Sequence, residues 1–342
     1  LEAPNTALSG QTFTVNLTST NHTSEVMNDL EIQVVLPDTA RLVEVLDGGE
    51  EIGEKELEWN IKTLPGNRGS VQAQFRIQGL DEEYILLEDI QAQADQGEYA
   101  AEIEPHYVFA GEVVPIWAIQ GPGFRSNYIL DEVTTAGVIT GMFPELGGFW
   151  IQTQEPDADP RTSEGLFVNA EGLNIDLQPG TEVEVTGVVR EMYQQTQIQI
   201  ESRNDLQVLK PNAAVPVPVE LNPPLNNAES ETYFESLEGM RVEVVKEALV
   251  VAPTNRYGEY TVILPEHRIT RLWSAQESGV GITVDDGSYE SHDDRTTLDY
   301  VVAVGDQVSN ITGPLAYTFG NYKIEPTQQP DVIDILQRLP SL

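Results

Sequence analysis

The sequence predicts an all-β chain: a sandwich followed by two small barrels. Three observations lead there. Apolar and polar residues alternate with period two along most segments. The alternating runs are punctuated by Gly, Pro, Asn and Asp, as antiparallel strands require. The last third of the chain repeats the middle third. With 342 residues there is room for two or three domains of roughly 100–200 residues each.

The first part, residues 1–110, alternates in Phe13 to Thr18, in Leu30 to Leu36 and in Ser70 to Ile77. Turn formers bound these runs at Ser9-Gly10, Pro37-Asp38, Gly48-Gly49 and Pro65-Gly66. About seven such strands in roughly 105 residues predict a β-sandwich of immunoglobulin type. The cysteine pair of that fold is missing, so Trp59 is expected to pack against an all-apolar core.

The second part, residues 111–222, carries strand patterns at Val133–Gly141, Phe149–Gln152, Gly165–Val168, Glu182–Glu191 and Thr196–Glu201. Five strands in about 90 residues suit a small Greek-key barrel of the OB type. A Pro-rich bridge, Pro211 to Pro224, leads into the third part, residues 223–342. Here Val304-Gly305 to Gly313 repeats Pro179-Gly180 to Gly187, with one residue inserted. Beyond it Tyr193 falls on Phe319 and Ile198 on Ile324, and Gly148 to Ile151 parallels Gly258 to Val262. The expectation is two tandem OB-like barrels, closed by a short helical tail around Val332 to Leu339.

Composition narrows the function. Formal net charge is −38, from 56 acidic and 18 basic residues, and there is no cysteine. Disulfides, thiol catalysis and Cys-type zinc sites are therefore excluded. No apolar run approaches the 18 residues of a membrane span. Tight unaided binding to nucleic acid is disfavoured, because that affinity comes largely from Lys and Arg on phosphates. Such acidity suits a secreted protein, or one in saline surroundings, kept soluble by self-repulsion, and the expected location is extracellular or at the cell surface. Leu1 is not Met and no leader pattern follows it, so the chain reads as a processed or trimmed form.

Two resemblances add to this. Ser9-Gly10-Gln11, Leu36-Pro37-Asp38, Trp59-Asn60-Ile61, Leu64-Pro65-Gly66 and Val71 to Ile77 resemble a repeat common in bacterial surface proteins. That likeness implies a spacer or adhesion module. Ala118-Ile119-Gln120-Gly121-Pro122-Gly123 with Ser126 is followed by Val133 to Thr140, Gly148 to Gln152 and Asp157 to Val168. Glu235 to Val242, Arg256 to Glu259, Asp285-Asp286-Gly287 and Phe319 to Pro326 complete the series. In that order they resemble the OB-fold module of bacterial extracellular nucleases of the YhcR type. The resemblance, over residues 113–330, implies the non-catalytic front of a secreted nuclease, or a relative that lacks the catalytic domain. Its Mg²⁺- or Mn²⁺-dependent catalytic domain, of the endonuclease/exonuclease/phosphatase family, would lie downstream.

Candidate site residues follow from both readings. An OB barrel that guides single-stranded nucleic acid uses aromatics and basic residues. Phe149, Trp150, Arg161, Arg190 and Tyr193 are the candidates in the first barrel; Tyr257, Tyr260, Phe319, Tyr322 and Lys323 are those in the second. Arg256, Arg268 and Arg271 belong to Arg241–Arg271, the one locally non-acidic stretch. Each aromatic could instead fill a barrel interior, and each arginine could pair with a neighbouring glutamate. Asp157, Asp159 and Glu164 place oxygens at alternating loop positions and are candidate Ca²⁺ ligands. The same pattern also suits a turn whose Asp side chains bond nearby backbone N–H groups. Asp285-Asp286-Gly287 with His292-Asp293-Asp294 forms a second acidic cluster, equally readable as a solvated loop.

Overall fold

A computed structural model describes residues 1–79, 83–103, 105–269 and 279–333. The chain divides into two compact units, Leu1–Val114 and Pro115–Leu342.

In the first unit, strands Thr12–Asn21, Gly69–Gly79 and Ala40–Val45 form one sheet. A five-stranded sheet faces it, in the order Tyr99–Glu102, Ile90–Ala94, Met27–Val35, Glu56–Leu64 and Glu50–Gly53. A third small sheet joins Thr6–Ala7, His106–Ala110 and Tyr84–Leu87, with its first two strands parallel. The sequence alternation supplies the core: Phe13, Val15 and Leu17 point inward from one sheet, and Leu30, Ile32 and Val34 from the other. Trp59 is buried among them, 6.1 Å from the Phe75 ring. Its indole N–H donates to the Leu46 carbonyl at 2.8 Å, so the pocket is apolar except for one aimed acceptor. A buried indole without that partner would be costly.

The second unit contains two barrels of the same topology. In the first, Glu132–Phe143, Gly148–Gln152 and Gly165–Asn169 run antiparallel in sequence order. Gln195–Gln199 then lies parallel to Gly165–Asn169, and Glu182–Met192 closes the barrel onto Glu132–Phe143. The second barrel repeats this circuit. Its opening strand is split into Arg241–Val244 and Ala248–Ala252, followed by Tyr260–Ile263 and Ile282–Val284. Asn321–Ile324 lies parallel to Ile282–Val284, and Gln307–Ser309 with Ile311–Thr318 closes the ring.

The internal repeat is realised atom by atom. Ile198 pairs with Val168 and Ile324 with Val284, each in a parallel ladder of its barrel. A Cβ on Gly187 would lie 2.4 Å from the Gln199 carbonyl oxygen, and one on Gly313 would lie 1.8 Å from that of Glu325. Both glycines are therefore imposed by the same close backbone approach. The inserted residue of the repeat is Asn310, in the left-handed region at φ 57°, which breaks the second barrel's closing strand where the first runs unbroken.

Two helical features depart from the sequence reading. Residues Asn227–Glu235 form a helix capped by Asn226, whose side chain accepts from the Ala228 and Glu229 amides. The expected helical tail begins instead as a strand, Asp331–Ile333, paired with Gln307–Ser309; its remainder lies outside the described residues.

Candidate functional site

Residues from several of the ordered motifs, among them Gln120, Gln152, Ser163, Glu238 and Arg241, meet at the seam between the two barrels. Gln120, on the short helix Ile116–Gln120, donates from Nε2 to the Gly165 carbonyl at 2.5 Å. Ser163 Oγ donates to the Glu238 carbonyl, and the Thr196 amide donates to Glu238 Oε1 at 2.9 Å. Across the seam the Arg241 amide donates to Gln152 Oε1 at 2.8 Å, and the Tyr317 amide to Gln195 Oε1 at 3.1 Å. Gly165 and Gly239 let the two backbones touch: a Cβ on Gly165 would sit 2.0 Å from the Gly239 carbonyl carbon. Beside this lattice, Phe143, Leu146, Trp150 and Phe167 of the first barrel pack with Ala316 of the second. Burial pushes the Glu238 carboxyl well above its ordinary range, helped by the nearby charge of Glu235.

This placement revises several expected contacts. Trp150 is wholly buried, its ring 4.6 Å from Phe167 and 5.1 Å from Phe143, so it offers no face to a base. Lys323 is buried as well. Its ammonium lies on Glu259 and 3.0 Å from Asp285 Oδ2, so its charge is neutralised inside the second barrel. Burial opposes its charged form, but these carboxylates outweigh that and hold its pKa above the usual lysine value. Asp285 is pushed up to about 6 by burial, with Lys323 acting against the shift. Glu325 next to them is buried, with its carboxyl well above the ordinary range and Oε2 without a hydrogen-bond partner. The second acidic cluster is thus partly a buried ion network. His292 Nε2 lies 3.0 Å from Asp286 Oδ2, and its Nδ1 lies 2.7 Å from Thr297 Oγ1.

Other candidates stay at the surface. Arg161 is exposed and forks onto Asp159, with Nε at 2.9 Å from Oδ1. Arg190 is half-buried on the strand Glu182–Met192. Arg256 lies over the Tyr257 ring, 4.6 Å from its centroid, and Arg268 is exposed at a left-handed φ of 55°. Lys246 and Arg241 of the same stretch are engaged, by Glu266 at 2.6 Å and by the Pro216 carbonyl. Arg271 lies outside the described residues. Tyr322 is half-buried, stacked on Phe234 with its hydroxyl donating to Glu235.

The expected cation loop uses its oxygens internally. The Asp159 amide donates to Asp157 Oδ1, the Thr162 hydroxyl to Asp157 Oδ2 at 3.0 Å, and the Asp157 amide to Glu164 Oε1. Bonding to Arg161 holds the Asp159 carboxyl below its ordinary value, whereas burial pushes Glu164 up. These are the bonds of Asx turns, in which short polar side chains satisfy loop amides. Among the described residues no group of three or more His, Asp or Glu side chains is set to hold a metal ion.

Sequence reasoning paired Tyr193 with Phe319 as repeat equivalents but missed that the two meet. Each sits with positive φ at the tip of its barrel's last hairpin, and the rings stack at 5.7 Å and 22°. Both are two-thirds exposed, and Tyr289 packs edge-on against Phe319. Gln195 was missed too. Its signal is a run of polar residues, Gln195-Thr196-Gln197, on a strand that the pattern places inside.

Residues 205–336 match the sequence profile of a domain of unknown function (DUF8508). No curated protein matches the chain. Among solved structures, the chain is similar to BcpA, the major pilin subunit of Bacillus cereus. That match has 10% identity and a TM-score of 0.26, over 60% of this chain and 62% of the pilin. It is also similar to the secreted serine protease VesC from Vibrio cholerae, at 15% identity and a TM-score of 0.21. There it covers 45% of this chain and 30% of the protease. A membrane-anchored protein from Corynebacterium diphtheriae matches at 11% identity and a TM-score of 0.19, over 76% and 61% of the two chains. The chain spans less than two thirds of the length of each. Among the described residues no helix is long and apolar enough to cross a membrane.

Proposed function

We propose that the chain is a non-catalytic structural and recognition region of an exported or cell-surface bacterial protein, with its two barrels acting as one rigid body. The observation that carries this reading is the seam. Gln120, Gln152, Ser163, Gly165, Glu238 and Gly239, the most distinctive residues of the ordered motifs, are spent on joining the barrels. The buried positions of Trp150 and Lys323 remove two of the contacts that nucleic-acid guidance would use. The acidity of every part of the chain works in the same direction.

A second reading keeps the chain as the accessory front of a secreted nuclease that positions a downstream catalytic domain. The stacked, exposed Tyr193–Phe319 pair favours it, since bases stack on such rings. One pair of assays separates the two. Purified chain with Mg²⁺, Mn²⁺ or Ca²⁺ is expected to leave DNA and RNA intact; hydrolysis would overturn both readings. Oligonucleotide titration at low and moderate salt is expected to show no binding. Salt-sensitive binding abolished by Arg256→Glu with Arg268→Glu would replace the first reading by the second.

A further inference from the structure

Beside the seam lies a cleft of about 530 Å³, within the size range of small-molecule sites. Its lining includes a packed set of aromatic rings, Phe234, Tyr317 and Tyr322. Tyr322 stacks on Phe234 at 5.5 Å and meets Tyr317 at 4.6 Å with the rings tilted by 60°. Phe124 of the first barrel, more than half exposed, also lines it. One wall is a face of the helix Asn227–Glu235. It presents Glu231 and Glu235 one turn apart, four residues in sequence. Like charges at that spacing repel. Among the described residues that line the cleft there is no lysine, arginine or histidine to relieve them.

We propose that this cleft binds a small organic cation of the alkylammonium class, such as a choline headgroup. The chemistry follows from the walls. Aromatic faces carry a negative quadrupole that attracts a cation with apolar methyl groups, and the exposed Glu231 carboxylate adds charge of the same sign beside Glu235, whose carboxyl burial pushes up. For a metal ion the cleft offers only Glu231 and Glu235 as carboxylates, and among the described residues no group of three or more His, Asp or Glu side chains is set to hold one. A phosphate or carboxylate ligand would be repelled. The local field is visible at the Tyr317 phenol, which burial and then the charges of Glu231, Glu235 and Glu238 push above its ordinary pKa. Tyr322 is held in place by its hydroxyl bond to Glu235, so the platform is formed before a ligand arrives. The assignment does not depend on either reading of the chain's wider role.

The test is a titration of the full chain with choline chloride at fixed ionic strength, followed by calorimetry and by the tyrosine resonances in NMR. Saturable one-to-one binding is expected, with a dissociation constant of about 1 mM or tighter. The uncharged isostere 3,3-dimethyl-1-butanol should bind at least about tenfold more weakly. Glu231→Gln, at an exposed helix position that leaves the fold intact, should weaken choline about threefold to tenfold, and Tyr317→Leu by a similar factor. Unsaturable shifts, equal affinity for the isostere, or an unchanged constant in Glu231→Gln would each overturn the proposal. So would tighter binding of a neutral oligosaccharide at the same tyrosines. Nuclease activity in the same preparation would overturn the non-catalytic reading and leave the cleft assignment standing.

Discussion

Gly165 and Gly239 meet so closely that neither tolerates a side chain. Gly165→Ala would place its Cβ against the backbone of Gly239 and Met240, which cannot move aside as a flexible side chain would. The expected loss is about 3 kcal/mol, measurable by denaturant unfolding of the second unit. Glu238, in the same seam, is a buried acid whose folded pKa is raised. The folded state therefore holds a proton that the unfolded chain releases near the ordinary carboxylate value of 4.5. Stability from this group is fullest below that value and falls as pH rises toward the folded pKa. Asp285, raised to about 6, and Glu325 act in the same direction. Glu238→Gln keeps an acceptor for the Thr196 amide and removes the titration. Its melting temperature should decline less than that of the parent as pH is raised above 4.5; parallel declines would contradict the assignment. Lys323→Met would leave Asp285 and Glu259 facing each other in a buried site, at an expected cost of about 3–5 kcal/mol.

At the scale of elements, the barrels were legible because period-two alternation and glycine punctuation report directly on strands. The predicted Phe149–Gln152 and Gly165–Val168 each fall within one residue of the strands found. The repeat alignment was legible for a physical reason. Gly187 and Gly313 have no alternative where the neighbouring strand passes, so the residue type survives while its surroundings change. The helix Asn227–Glu235 was not legible, because it is short, polar and almost without an apolar stripe, and tertiary packing of Phe234 decides it. Its cap is the one local signal. Asn226→Ala should cost about 1 kcal/mol, and helix-specific hydrogen exchange would locate the loss. The hairpin tips behave differently. Phe319→Ala removes an exposed stack and should change stability by about 1 kcal/mol or less, in contrast to the buried ladder residue Ile324.

For the whole molecule, the seam predicts joint melting of the two barrels. Trp150→Ala empties a ring-sized volume between Phe143, Phe167 and Ala316 and should destabilise both by about 3–5 kcal/mol. Calorimetry is expected to show one transition for the second unit shifting as a whole; two separated peaks would mean that the barrels are independent. Net charge acts on every part. With −38 distributed along the chain, screening by added NaCl should raise the melting temperature, most steeply below about 0.15 M, where the Debye length exceeds about 8 Å.

The sequence by itself determined the all-β class, the order of sandwich and barrels, the repeat and the acidity. These depend on local periodicity, on glycines forced by backbone contact, and on composition. Only the tertiary structure decided what the polar and aromatic residues do. Trp150 and Tyr193 belong to the same barrel and read alike in sequence, yet one is sealed in the seam and the other stands exposed at a hairpin tip. Lys323 reads as a cation for phosphates and is enclosed by Glu259 and Asp285. Glu231 and Glu235 line a cleft together with residues some ninety positions away. Burial and charge pairing depend on which strands come together across the fold. That information lies in contacts far apart along the chain, which no local pattern carries.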